Sequence, residues 1–368
     1  MNRPAPVHTP YIISRRRFLQ GVGAVAAGFL VSGCRPRQAA EKTSAQPTVA
    51  IAQAKTYDRD LIRRQVQALL DSLGGLRDVI GSGDRVAIKV NLTGGTYFAP
   101  PAGLTATESY LTHPEVVRAL GELLRDAGAR ELFIVEAVYD PQSYPLFGYE
   151  EVARALDATL IDLNSPHPYS DFASTPAGEA GLVYKDFLFN HVLEEVDAFV
   201  SVAKMKCHYN AGVTLSMKNL VGLVPAASYR LSQEHWWRSA LHGRSDAETK
   251  ARLPRVILDL NRARPIHLAL IDGIKTAEGG EAPRGSFNPV APGVLVAGKN
   301  PVATDAVATA VMGFDPTVEP PTAPFLRGDN YLNLACQLGL GTNRLEEIQV
   351  VGAAIDNVRY PFQPSWEM

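Results

Sequence analysis

Residues 49–368 predict an α/β domain with a largely parallel sheet and flanking helices, on three observations. Short strand-like apolar runs and amphipathic helical stretches alternate along the chain, the order that parallel strands joined by helical crossovers require. No internal repeat is visible. The length exceeds that of a typical single domain and fits two lobes with a cleft between them, divided near residue 205.

The elements follow in order. Val49–Ala52 opens the sheet, and Asp58–Leu73 carries the apolar spacing of a helix. Arg85–Asn91 is the second strand, reading VAIKVN from Val86, with Lys89 and Asn91 on one face at its carboxyl end. Residues 94–111, rich in Gly, Pro, Ser and aromatics, form a long loop. Thr112 stands at the N-cap position of a helix opened by His113 and Pro114 and running over Pro114–Ala127. Strand Glu131–Ala137, helix Tyr149–Leu156 and strand Thr159–Leu163 come next, and then a second long loop over 165–184. Loops of such length in compact domains often serve as lids. Helix Leu188–Val196 leads into strand Ala198–Lys206, where Val200 and Val202 alternate with Ser201 and Ala203. Helix Leu253–Arg262, strands His267–Ile271 and Gly293–Ala297, helix Val302–Met312 and strand Ile348–Gly352 complete the domain.

Chemistry gathers where strands end. Lys204, Lys206 and His208 emerge on the same side of the strand as Val200 and Val202, so one face turns from apolar to cationic within a few residues. Ligands of open α/β sheets bind outside the carboxyl ends of strands. The two lysines depress the pKa of His208 and favour the neutral imidazole, the form that binds a metal or accepts a proton. In AGVTLSMKNLVGL, Thr214 and Lys218 are four residues apart and share a face if the segment is helical. Lys218, between Met217 and Leu220, is then partly desolvated, which makes it a better nucleophile or base; a snorkelling surface lysine is the alternative. Asn219 follows it directly. His235 and His242 read as one face of a helix used for core packing or a lid. Asp272, Glu278 and Asp305 follow successive strands and can hold a divalent cation or balance the lysines.

The order AIKVNL, THPEVVRAL with LLRDAGA, VSVAKMKCHYNAGVTLSMKNLVGLV, LIDGI with its EGG-AP-RG loop, and LVAGKNPVATDAVA resembles the family called domain of unknown function 362. HYNAGVTLSMK further resembles the segment of nickel-pincer lactate racemases in which a histidine precedes a cofactor-holding lysine. The resemblance implies that Lys218 anchors a cofactor while His208 serves as acid/base or ligand. Thr214-Leu215-Ser216 departs from the Ser-Gly-Gly turn of that pattern.

The N-terminus carries an address. SRRRFLQ from Ser14, an apolar run over Gly21–Ser32 too short to span a bilayer, and Val31-Ser32-Gly33-Cys34 read as a twin-arginine export signal ending in a lipobox. Cys34 is then lipidated and the protein tethered to the cell envelope on the periplasmic side, with 35–48 a flexible spacer. Removing residues 1–34 takes away four arginines and no acids, so the charge becomes 32 minus 38, or −6, which disfavours nucleic acid as a partner. Only Cys207 and Cys336 remain beside Cys34, which excludes iron–sulfur clusters with four cysteine ligands. These features point to an enzyme acting on a small anionic molecule with a metal or lysine-attached cofactor, with lysines Lys89, Lys204 and Lys206 binding the anion. A periplasmic anion-binding or scaffold lipoprotein uses the same residues without catalysis.

Overall fold

A computed structural model of the chain describes residues 46–366 apart from Ala180 and Trp236. The export signal and Cys34 lie outside the described residues. Residues from Gln46 onward form one unit around a single large sheet, and no described helix is long and apolar enough to cross a membrane.

The sheet is mixed but mostly parallel. Its main path runs β12 (Gln349–Gly352), β1 (Thr48–Gln53), β11 (Val294–Gly298), β9 (Leu268–Glu278), β7 (Ala198–His208), β2 (Arg85–Lys89), β3 (Glu131–Glu136), β4 (Ala158–Asp162). The five strands from β9 to β4 are mutually parallel, and β11 runs against both β9 and β1. Two short strands hang on the path: β8 (Gly212–Thr214) folds back on β7, and β10 (Asn288–Val290) on β9.

Alternation of side chains sorts the core into layers. Even-numbered Val86, Ile88, Val200 and Val202 pack under helices α1 (Arg59–Ser72), α2 (Pro114–Asp126) and α3 (Tyr149–Leu156). Odd-numbered Ala87 and Phe199 pack with Val256 and Leu260 of α4 (Asp246–Ala263) on the opposite face. Toward the other edge, Val49, Val294 and Val296 meet Val302, Ala306 and Val307 of α5 (Pro301–Val311).

Several boundaries differ from expectation for identifiable reasons. Met205 lies inside β7, which pairs with β2 on one side and β9 on the other, so the sheet crosses unbroken where a lobe boundary was expected. The cap of α2 is His113, whose Nδ1 accepts from the Glu115 amide at 3.2 Å. Thr112 is buried and bridges strands instead: its hydroxyl accepts from the Asn91 amide at 3.1 Å and donates to the Val202 carbonyl at 3.0 Å. The helix expected over Leu188–Val196 is strand β6 (Asp186–Phe189) followed by a single turn at Val192–Glu195. Its partner β5 (Ala173–Pro176) falls within the second long loop. Helix α4 begins seven residues earlier than expected, because Ser245 caps it by accepting from the Glu248 amide at 3.2 Å. The segment around Thr214 is not an α-helix: β8 is followed by a 3-10 stretch over Lys218–Leu223.

Candidate functional site

At the carboxyl ends of β2 and β7 lies a cavity of about 390 Å³, within the size range of small-molecule sites. Its floor is organised by Lys89. Parallel pairing sets Val135 of β3 opposite it, and from the next residue the Glu136 carboxylate reaches it: the Lys89 ammonium donates to Glu136 Oε2 at 2.9 Å and to Asn219 Oδ1 at 3.2 Å, all buried. An ammonium can only donate, which fixes the orientation of the Asn219 amide. Asn219 Oδ1 also accepts from Asn91 Nδ2 at 3.1 Å, so Asn91 Oδ1 turns away and is left buried without a partner among the described residues. Gly222 closes over the ion pair: a Cβ there would stand 2.2 Å from Glu136 Oε1 and 2.8 Å from Lys89 Nζ, so only glycine fits.

Lys218 is presented by a pinned turn. The buried Asp305 carboxylate accepts from the Ser216 amide at 2.9 Å, the Met217 amide at 3.0 Å and the Ser216 hydroxyl, while Asn261 Nδ2 donates to the Met217 carbonyl at 3.0 Å. These bonds divert the backbone donors that an α-helix would use, which explains the tight turn before Lys218. Burial pushes the Asp305 carboxyl up to about 7 against the pull of those donors. Among the described residues, the Lys218 amine has neither a hydrogen bond nor an ion pair, although the residue is only 7% exposed. Burial lowers its pKa to about 8 against the opposing pull of the Glu281 charge, and the weaker influences of Arg238 and Lys89 push the same way as burial.

Two histidines face this amine. His208 Nδ1 accepts from the amides of Asn210 and Ala211, both at 3.1 Å, so the neutral ring carries its proton on Nε2. His242 Nδ1 lies 3.3 Å from the Arg238 carbonyl, which can only accept, so that ring carries its proton on Nδ1 and keeps a lone pair on Nε2. The rings stand 6.4 Å apart and nearly parallel. Burial drives both pKa values down, that of His242 to about 3, and Lys218 is the leading charged neighbour of each. Two neutral imidazoles of opposite hydrogen-bonding character therefore share one cavity with a buried amine.

The structure brings together Lys89, Asn91, His208, Thr214, Lys218 and Asn219, all of which line the cavity. The remaining expected site residues are used elsewhere. Lys204 and Asp272 form a fully buried pair at 2.9 Å on the α1 and α2 side of the sheet, closed by Tyr57, whose hydroxyl donates to Asp272 at 2.8 Å. Lys206 is buried behind the cavity and donates to the carbonyls of Tyr110 at 2.7 Å and Glu281 at 2.9 Å. Glu278 accepts from Asn288 at 2.9 Å and from the Gln363 amide at 2.7 Å. Asp272, Glu278 and Asp305 thus do not converge on a cation, and no group of three His, Cys, Asp or Glu placed to hold one occurs among the described residues.

The cavity also holds residues that strand-end reasoning passed over. Glu136 carries the same carboxyl-end signal as Lys89 and was legible by that rule. Arg238 and His242 come from a segment without regular periodicity, of which only Ser239–His242 is helical. Arg238 is buried and donates to the carbonyls of Val224 at 2.7 Å and Ala137 at 2.6 Å. Of the two long loops, 94–111 contributes Gly94 and Phe98 to the lining, and no described residue of 165–184 does. Lys89, Lys218, Arg238, Arg244 and Arg284 stand against Glu136, Asp246 and Glu281 in the lining, five cations against three carboxylates, leaving a formal excess of two positive charges. That balance suits an anion.

The thylakoid-associated protein sll1697 of Synechocystis sp. is 25% identical over 283 residues, covering 75% of this chain and 78% of the relative. Among solved structures, the lactate racemase apoprotein from Thermoanaerobacterium thermosaccharolyticum is similar at 13% identity and a TM-score of 0.38, over 73% of this chain and 57% of that one. A protein from Thermotoga maritima is similar at 12% identity and a TM-score of 0.31, over 65% of this chain and 55% of that one. The chain spans little more than half the length of either solved chain. Residues 86–310 match the family described as "Domain of unknown function (DUF362)", and the chain belongs to that family.

Proposed function

We propose that the protein is an enzyme that binds a small organic anion in this cavity and moves a proton on it. The observation that carries the reading is the buried Lys218 amine without a partner among the described residues, in one cavity with His208 and His242. A free buried cation is unfavourable unless something else compensates it, and an anion entering the cavity does so. In this reading the Lys218 ammonium receives the anionic group, His242 Nε2 accepts a proton, and the His208 Nε2–H donates a hydrogen bond to developing negative charge.

The lysine-attached cofactor implied by the sequence resemblance fits Lys218, whose amine is free to form a bond. It does not fit His208 as a metal ligand, because Nδ1 is already taken by two amides and the neutral ring then holds its proton on Nε2. No step here is routed through such a group.

Thermal unfolding in the presence of lactate, pyruvate or inorganic phosphate tests the reading. At least one of these anions is expected to raise the melting temperature of the wild type and not that of Lys218→Met. Equal shifts in both proteins, or none in either, would contradict it.

We further propose, from the sequence, that the chain leaves the cytoplasm folded through the twin-arginine route and is held at the envelope by lipid on Cys34. The paired arginines and the lipobox support this. Cys34→Ser should abolish incorporation of labelled palmitate and release the protein from membranes. Incorporation that survives the substitution would refute the anchor.

A further inference from the structure

We propose that Lys218 forms a Schiff base with a 2-oxo carboxylate, so that the ligand is held by a covalent bond to carbon as well as by charge. The inference rests on the proposed anion-binding role of the cavity and names the ligand class.

Three features of the cavity call for a carbonyl-bearing acid and not for a bare anion. The first is the nucleophile: Lys218 is buried, has no partner among the described residues, and is held in place by the turn that Asp305 pins. Burial and two nearby cations outweigh the Glu281 charge and bring its pKa to about 8, so a useful fraction is the free amine near neutrality. The second is the surplus positive charge of the lining, which remains for a carboxylate after the amine has bonded to the adjacent carbon. The third is a pair of buried polar atoms lacking partners, Asn91 Oδ1 and Thr214 Oγ1, on residues that line the cavity. Asn91 Oδ1 can only accept, so it calls for a ligand that brings a donor. A bare carboxylate or a fully ionised phosphate monoester brings none. The hydroxyl of a carbinolamine or the N–H of a protonated imine does.

The step balances without an oxidant or reductant. The Lys218 nitrogen attacks the carbonyl carbon, a C–N bond forms, and the C=O π pair moves to oxygen. His242 Nε2 takes one proton from the nitrogen and hands it to that oxygen, giving the carbinolamine and restoring the neutral ring. The C–O bond then breaks, the oxygen leaves as water with a second proton drawn from solvent, and the nitrogen lone pair completes the C=N of a protonated imine. One water is released for each imine formed. His208 keeps its proton throughout and donates a hydrogen bond to the oxygen as charge builds there.

Full-length protein treated with pyruvate and then sodium borohydride tests this. One adduct per chain is expected, mapped by peptide mass spectrometry to Lys218, absent from Lys218→Arg and Lys218→Met, and absent when lactate replaces pyruvate. In His242→Gln the adduct should form at least ten-fold more slowly with the melting temperature shift by pyruvate retained. Pyruvate that raises the melting temperature but leaves Lys218 unmodified would overturn the Schiff base and spare the anion-binding reading. Adducts spread over surface lysines and equally abundant in Lys218→Met would also overturn it. Failure of every anion to shift the melting temperature would instead remove the reading on which the inference rests.

Discussion

Lys218→Met is expected to make the protein more stable and functionally inert. A lysine in water has a pKa near 10.5, and here it is held at about 8, so at neutral pH the fold carries a charged group it disfavours. Each unit of that difference corresponds to about 1.4 kcal/mol, and methionine fills a similar volume without the charge, so a gain of about 1–3 kcal/mol is expected. The sign also fixes the pH window. The folded state binds fewer protons than the unfolded state between about 8 and 10.5, so wild-type stability rises with pH across that interval. The advantage of the methionine variant is full below about 8 and fades toward 10.5. Turnover and anion binding should fall by at least 100-fold in the same variant. Chemical unfolding at several pH values measures the first effect and ligand titration the second. Loss of stability on substitution would mean that the amine has a partner in the fold. A buried charge retained against stability is what a working residue looks like.

Asp272→Ala is expected to cost about 3–5 kcal/mol, because it strands Lys204 as an uncompensated charge with no exposed surface. The loss extends beyond the pair. Asp272 also accepts from the Tyr57 hydroxyl at 2.8 Å, the His113 amide at 3.1 Å and the Ile274 amide at 3.3 Å, so three further donors lose an acceptor in a closed interior. Replacing both partners, as in Lys204→Met with Asp272→Leu, should recover the part of the loss owed to the stranded Lys204 charge but not the part owed to the three donors, which leucine cannot satisfy. Urea unfolding of the two variants measures this. In the folded fraction of each, anion binding should match the wild type, because neither residue lines the cavity. An altered affinity at unchanged stability would place the pair in the site after all.

These two positions also mark how far the sequence could be read. The alternation of Val200 and Val202 identified β7 and its cationic end, and the strand-end rule picked out Lys89, Asn91 and His208; Lys218 and Asn219, read from an assumed helix and a family resemblance, do meet them although the segment is not an α-helix. The same rule misplaced Lys204. In the parallel pairing of β7 with β9, Lys204 falls directly beside Asp272, a register that no single stretch of sequence displays. Lys204 is therefore neutralised deeper in the sheet, while His208, four residues on, reaches the cavity. Asp305 was legible as an acid near the site but not as the clamp for Ser216 and Met217, because that role depends on α5 packing against the turn. His242 looked like part of a longer helix. Only the folded chain shows its ring parallel to His208, and only the backbone partners of the two rings reveal that one presents a proton and the other a lone pair. Strand ends are local and readable; the choice of partner across strands and loops is not.

The reactivity of Lys218 as a function of pH tests the central claim most directly. Brief labelling of the folded protein with acetic anhydride, quantified at the Lys218 peptide, is predicted to rise with a midpoint near 8 and to be slowed by pyruvate. A midpoint near 10.5, the ordinary lysine value, with no protection by any anion, would contradict it.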